Sequence, residues 1–362
     1  MSMCEMAEET PDEAETGPQD GGTGPPSRRA IAIGASAGGI EALLELVPLL
    51  EPGLAAPVLV TVHQPAAATT VLPQLLARRG RLPVGHAQDG ETLLPGRVYV
   101  APPDRHLMVD KGRVVLSSGP KENGNRPAID PLFRSLALDA GAGAVGVVLS
   151  GALDDGASGA LEVVRHGGTV MIQEPDEALY PSMPLATLEQ VPGAFVRPVA
   201  GLGAILPGVV DRAGPLRSTG HGSARLRWEV AIARMEGSEM SAPDAAGTAA
   251  GLACPDCSGP LFEIHDGGLP RYRCRVGHAW SQHALGAQQE QSVETALYMA
   301  LRALEDKAAL QRRIAATAAE QGADRVVARA RAAADEAVRS ARVLRRLLGG
   351  AGDEDRGRSR TE

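Results

Sequence analysis

Between Arg29 and about Arg212, short apolar, β-prone runs alternate with stretches whose apolar residues recur at helical spacing. Runs near 30–35, 57–62, 82–86, 97–100, 143–149, 168–173 and 194–198 read as strands, and segments near 38–50, 70–79, 128–140, 156–166, 184–190 and 201–211 as helices. A strand that is followed by a helix returns to the same end of its sheet. The expected class is therefore α/β, a mainly parallel, doubly wound sheet with helices on both faces. One hairpin interrupts the alternation, His106 to Val109 with Val114 to Ser117, turning at Lys111-Gly112. Apolar residues make up 44% of the chain but aromatics only 2%, so the core must be built from Ala, Val and Leu.

Ligands of such sheets bind beyond the C-terminal strand ends. The first strand, around Ile31-Ala32-Ile33, runs into Gly34-Ala35-Ser36-Ala37-Gly38-Gly39, and a helical pattern follows from Ile40. Strand, tight turn and helix are the setting in which a serine is lifted clear of a sheet, with backbone N–H groups and a positive helix end beside it. The second strand ends in His63, before Gln64-Pro65. A later strand ends at Leu149 and leads into Ser150-Gly151-Ala152-Leu153-Asp154-Asp155-Gly156. A hydroxyl, an imidazole and a carboxylate thus follow three strands of one sheet.

That set supports nucleophilic acyl transfer. The imidazole takes the serine proton, and the carboxylate holds the ring in one tautomer. The chain order Ser, His, Asp differs from that of α/β-hydrolases, which implies a separate fold with similar site geometry. Spacing alone leaves Asp154 and Asp155 as equal candidates. Each residue has an ordinary alternative: Ser36 as a helix cap, His63 as a strand end, the Asp pair as a turn before Gly156. A phosphate or dinucleotide reading of the glycine turn expects G-x-G-x-x-G and an acid after the second strand. Ser36 and His63 stand against it, and no Tyr is followed four places on by Lys, as short-chain dehydrogenases would require.

The same segments resemble the CheB-type chemotaxis protein-glutamate methylesterases over about residues 29–212. Gly34-Ala35-Ser36-Ala37-Gly38-Gly39 is similar to that family's serine turn, and Val62-His63-Gln64-Pro65 to its histidine segment. Ala101-Pro102-Pro103-Asp104-Arg105-His106, Asn125-Arg126-Pro127-Ala128-Ile129-Asp130, Leu149 to Ala157 and Ser182-Met183-Pro184 follow in the family's order. The resemblance selects Asp155 over Asp154. It implies hydrolysis of γ-glutamyl methyl esters on the cytoplasmic helices of methyl-accepting receptors, releasing methanol, with deamidation of certain glutamines as a second activity. Ser36 would be the nucleophile, His63 the general base and then acid, and Asp155 the orienter. N–H groups near Ala37 and Ala152 would form the oxyanion site. The chain departs from the family in three ways. Residues 1–28, rich in Glu, Asp, Gly and Pro, have the composition of a disordered tail where a receiver domain is usual, Ala37 replaces a threonine, and Gly151-Ala152-Leu153 replaces Gly-Met-Gly. The last two favour the alternative of a non-catalytic signalling scaffold that keeps the fold, or of an esterase with another substrate.

Residues 213–250 read as a Gly-, Ser- and Ala-rich linker, interrupted by an amphipathic piece from Ala224 to Met235. Beyond it, Cys254, Cys257, Cys274 and His278 are spaced C-x2-C, sixteen residues, C-x3-H. Two such knuckles place three thiolates and an imidazole around one tetrahedral ion, so residues 251–285 are expected to form a zinc-ribbon-like module with a structural zinc. His265 and His283 are the other candidates for the fourth ligand. A closed ligand set predicts separate roles: metal removal would unfold this module and leave the esterase largely active. Residues 286–348 read as a helical hairpin broken at Gly322. Its apolar stripes are Val293, Leu297, Leu301, Leu304, Ala308 and Val327, Ala330, Ala334, Val338, Ala341, Leu344. The stripes are expected to pack on each other, with a second subunit (a homodimer) or a receptor as the other choices, and residues 349–362 to be a disordered tail.

A net charge of -8 gives no electrostatic reason to expect nucleic acid or an anionic membrane as partner. No apolar run nears the ~20 residues of a spanning helix. The acidic N-terminal stretch lacks a signal peptide's basic and apolar regions. Three of the four cysteines fall in the metal motif and Cys4 in the tail, so a reducing cytoplasm is the expected location.

Overall fold

The computed structural model describes residues 29–68, 71–212, 223–236, 247–265 and 270–358. The expected tail over 1–28, with Cys4, lies outside them. In chain order the first domain comprises β1 (Ala30–Ala35), α1 (Gly39–Leu46), β2 (Val58–Val62), α2 (Leu72–Arg79), β3 (Val84–His86) and β4 (Val98–Val100). The hairpin β5 (His106–Asp110) and β6 (Arg113–Ser117) comes next, followed by α3 (Ile129–Ala140), β7 (Ala144–Val148), α4 (Ala157–Arg165), β8 (Thr169–Gln173), α5 (Ser182–Gln190), β9 (Phe195–Arg197) and α6 (Val199–Arg212). Each strand and helix lies where the alternation placed it, to within a few residues. The first helix ends at Leu46 and continues as a 3-10 turn, Val47–Leu49, because Pro48 has no N–H to extend the α ladder.

Seven strands form one parallel sheet in the order β3-β4-β2-β1-β7-β8-β9. The chain builds outward from β1 on one side, then returns to build outward on the other. The switch point therefore sits at β1, between β2 and β7. Alternate residues of β1 face opposite cores. Ile31 and Ile33 join Leu43, Leu46, Leu76 and Leu206 on one side, and Ala30 and Ala32 face Leu132, Phe133 and Leu136 on the other. The small residues on the second face let α3 lie close. A Cβ on Gly34 would fall 2.3 Å from Ile129 Cγ2.

The amphipathic piece expected within the linker from Ala224 to Met235 is a helix. Helix α7 (Ala224–Arg234) buries Leu226, Val230 and Ala233 with Met108 of the hairpin, and Trp228 and Ile232 with Ile264 of the next module. Its first turn is capped by Ser223 Oγ, which accepts from Leu226 N–H. The rest of the predicted linker lies largely outside the described residues. The module begins earlier than expected, with β10 (Thr248–Ala253), and continues antiparallel through β11 (Pro260–Ile264), β12 (Arg271–Cys274) and β13 (Ala279–Ser281).

Helices α8 (Gln282–Glu320) and α9 (Asp324–Arg358) form the hairpin, joined at Gly322 with φ of 68°. Ala308, Ala315, Ala318, Ala330, Ala334, Ala337 and Ala341 are buried between them, so the stripes pack on each other. Val293 departs from the expected stripe and is exposed. Helix α9 also runs past the tail boundary set at Gly349, since two glycines cost a long helix only about 1 kcal/mol each. Among the described residues no helix is long and apolar enough to cross a membrane.

Candidate active site

Ser36 follows β1, His63 follows β2 and Asp155 lies in the loop after β7, on the three central strands of the sheet. Sheet register brings them together. His63 N–H donates to Ala35 O at 3.2 Å, and Ser36 N–H to Ser150 O at 3.0 Å. The serine turn needs Gly38, which takes φ of 69° at the N-cap of α1. Ser150 holds that turn from below. Its hydroxyl donates to Ala37 O at 2.9 Å and accepts from Tyr180 N–H at 2.9 Å.

The His63 ring bridges the other two side chains, with Nδ1 3.0 Å from Ser36 Oγ and Nε2 2.6 Å from Asp155 Oδ2. With the carboxylate ionised, the proton sits on Nε2, and Nδ1 is left to accept from the serine. Asp155 is buried and fully engaged. Oδ2 also accepts from Ile129 N–H at 2.7 Å, and Oδ1 accepts from Asn123 Nδ2 at 3.1 Å and Asp130 N–H at 3.3 Å. Burial alone would raise its pKa. The His63 hydrogen bond and charge, then the Ile129 and Asn123 donors, outweigh burial and hold the carboxyl below the usual range.

A second buried carboxyl lies beside it. Asp130 Oδ1 accepts from Gly156 N–H at 3.1 Å and Gly159 N–H at 2.7 Å, tying the start of α3 to the start of α4. Burial first, and the Asp155 charge second, push Asp130 up to about 8. Two close carboxyls are thus driven apart, so that Asp155 carries the charge and Asp130 the proton. His106, buried and held below its ordinary pKa by burial, fixes the same region. Its Nε2 donates to Pro120 O at 2.9 Å, and its Nδ1 accepts from Ala128 N–H at 3.2 Å, one residue before the Ile129 donor.

Asp154, the other candidate acid, points elsewhere. It accepts from Ser281 Oγ at 2.5 Å and lies 3.2 Å from His283 Nδ1. Neither of the other two ligand candidates joins the cysteine cluster, since His265 is exposed beside Glu263 and His283 is engaged with Asp154. The predicted four come together: donor atoms of Cys254, Cys257, Cys274 and His278 all lie within 4.8 Å of one another. Cys257 Sγ is 3.6 Å from Cys274 Sγ, and His278 Nδ1 is 3.8 Å from Cys254 Sγ and 3.5 Å from Cys274 Sγ. A tetrahedral zinc with ordinary Zn–S and Zn–N lengths has ligand edges of about 3.5–3.8 Å, so the set fits. Burial, and then the neighbouring Cys254 sulfur, push the Cys274 thiol up to about 12.

Asn123 was not singled out from the sequence. It sits in the turn Glu122-Asn123-Gly124-Asn125 with φ of 51°, two positions from the motif that drew notice to Asn125. An Asn-Gly pair is a turn signal in sequence, but it does not reveal which carboxylate the amide meets.

A model of the CheB methylesterase family matches residues 31–206. The protein-glutamate methylesterase/protein-glutamine glutaminase 2 of Xanthomonas oryzae pv. oryzae (strain MAFF 311018) is 41% identical over 163 residues, 43% of this chain and 44% of that protein. The protein-glutamate methylesterase/protein-glutamine glutaminase of Azospirillum brasilense is 35% identical over 201 residues, 54% of this chain and 51% of its own length. The crystal structure of the Thermotoga maritima CheB methylesterase catalytic domain is 32% identical, covers 50% of this chain and 98% of that one, and has a TM-score of 0.49. The chain spans about half the length of the curated relatives it matches.

Proposed function

Taking residues 31–206 as a CheB methylesterase-family domain, we propose that this chain is a serine hydrolase of glutamyl methyl esters on the cytoplasmic helices of methyl-accepting receptors. The relay Ser36–His63–Asp155 carries this reading. The Ser36 Oγ–H proton passes to His63 Nδ1 as Oγ bonds to the ester carbon. The imidazolium, held by Asp155, returns that proton to the departing methoxide, and methanol leaves. Water then attacks the acyl-enzyme with His63 as base, the Ser36 oxygen is reprotonated, and a glutamyl carboxylate is freed. The same steps on a glutamine amide release ammonia. Ala37 follows Ser36 in the chain, and a Cβ on Gly151, the residue before Ala152, would lie 3.0 Å from Ser36 Cβ. Among the described residues neither the Ala37 nor the Ala152 N–H has a backbone acceptor, which supports them as the oxyanion donors.

The reaction uses no catalytic cofactor in this reading. Cys254, Cys257, Cys274 and His278 hold a structural zinc, and the helical hairpin serves as an interaction arm through which two chains can pair. The site of action is cytoplasmic. Methanol release from a methylated receptor fragment tests the activity, with Ser36→Ala as control. Equal release by both proteins would remove Ser36 from the mechanism. One zinc per chain by elemental analysis, lost in Cys257→Ser, tests the metal.

A further inference from the structure

The expected division of labour between esterase and metal module is at odds with what lies between them. Asp155 Oδ1 accepts from Asn123 Nδ2, and the other end of that amide, Asn123 Oδ1, accepts from Ser281 N–H at 2.7 Å. Ser281 closes β13, three residues after the ligand His278. Backbone bonds reinforce the link: Asn123 N–H donates to Ala279 O at 2.8 Å and Ala279 N–H to Lys121 O at 3.2 Å. Asp154, next to Asp155, takes the Ser281 hydroxyl.

A buried charge cluster clamps the same two bodies. Arg271 and Arg273 lie on β12, the strand that ends in the proposed ligand Cys274. Arg273 Nη2 meets Glu122 Oε1 at 3.2 Å, and Arg271 Nη2 meets Glu229 Oε1 at 2.8 Å. Arg134 of α3 pairs with both glutamates. All five side chains are at most 9% exposed. Glu122 immediately precedes Asn123, so the module grips the turn that orients the catalytic acid.

We propose that the metal-bound module is a brace for the triad. By fixing β13, the ion holds Ser281 N–H against Asn123, and Asn123 is a positioning residue that sets the Asp155 carboxylate toward His63. Esterase activity therefore depends on metal occupancy although the ion touches no reacting atom. This rests on the esterase and zinc readings above. It also makes metal loss a means of lowering activity in a chain that keeps its nucleophile.

The test is a cycle in the full chain, reading kcat and KM with zinc bound, after stripping by chelation, and after zinc is restored. Asn123→Gly is the variant of choice, since glycine accepts the positive φ that alanine would strain. Loss of a hydrogen bond to a charged group predicts a kcat about tenfold to a hundredfold lower, with KM little changed. Stripping zinc from the wild type should give a similar, reversible loss, and stripping Asn123→Gly should add little. Losses that multiply, or a stripped wild type with unchanged kcat, would overturn the brace, as would a chain that takes up no zinc. Hydrogen exchange at Ile129 N–H, a donor to Asp155, provides a readout independent of ester turnover. It should quicken on stripping in wild type and Ser36→Ala alike. If no ester is hydrolysed, the esterase reading fails, while unchanged exchange overturns the brace by itself.

Discussion

Asp155→Asn is the sharpest test of how the triad is wired. The carboxylate accepts four hydrogen bonds, two at each oxygen: His63 Nε2 and Ile129 N–H at Oδ2, Asn123 Nδ2 and Asp130 N–H at Oδ1. An asparagine offers one acceptor oxygen and one NH2. With oxygen at the Oδ2 position, its NH2 faces two donors, Asn123 and Asp130. In the flipped orientation its NH2 faces Ile129 N–H and drives His63 to carry its proton on Nδ1, where it can no longer accept from Ser36. Either orientation also removes the charge that favours the imidazolium. The expected loss in kcat is about 10³–10⁴-fold, or about 4–5.5 kcal/mol of barrier. KM should stay within a few-fold, because Asp155 is buried behind the ring and meets no substrate. The assay is methanol release from a methylated receptor fragment under saturating conditions, with the Ser36 acylation rate measured separately. Asp154→Asn is the comparison and should lose at least tenfold less, its carboxylate being turned toward Ser281 and His283. Asp155→Asn retaining more than a tenth of wild-type kcat would refute the assignment.

Gly34→Ala should push Ile129, and with it a donor to Asp155, destabilising the fold by about 1–3 kcal/mol and lowering kcat; unchanged denaturant midpoints and kcat would show that α3 yields freely. Glu229→Gln should leave Arg134 and Arg271 facing an amide in the interior, costing about 3–5 kcal/mol in chemical denaturation, and a midpoint equal to wild type would remove the cluster from the stability account. Asp130, raised to about 8, binds its proton more tightly folded than unfolded, so its contribution is full below the unfolded carboxylate pKa and is lost as pH rises through about 8. Asp130→Asn should accordingly flatten the fall in melting temperature from about pH 4 to 8; a slope identical to wild type would contradict this. Glu122 and Glu229 have the opposite sign, because Arg134, Arg273 and Arg271 hold them below the usual range against burial. Their contribution is present above the unfolded carboxylate pKa and is lost as pH falls from there through their depressed folded values, so strong acid should weaken the clamp on the module.

The parallel sheet was legible because its strands are bounded by turns and separated by helical patterns, and both signals are local. The cysteine cluster was legible for the same reason, since two short knuckles fix their own geometry. Ser36 and His63 could be named because strand ends in such a sheet converge by topology. The choice between Asp154 and Asp155 could not be made from the residues alone: the positive φ at Leu153 and Gly156 turns the loop so that one acid enters the core and the other faces the module. Helix α7 was legible only as an amphipathic piece of the linker, without its partners, because Glu229 and the arginines around it look like an exposed face. Glu229 is buried because Arg134 and Arg271 arrive from elsewhere in the chain to pair with it.

The same physics explains how two modules with independent sequence signatures are joined through charged and polar groups. Charged groups at an interface mimic solvent-facing composition until their partners are known, so a buried ion cluster erases the apolar signal by which domain contacts are usually read. Here that cluster lies over the turn carrying Asn123, between a ligand-bearing strand and the triad acid. Apolar contact alone would tolerate small slips of the module, as a lubricated face does. Directional hydrogen bonds from Ser281 through Asn123 to Asp155 do not. In the brace proposed above, seating of the module is thereby converted into orientation of a carboxylate, which ties the Cys/His cluster to the proposed triad.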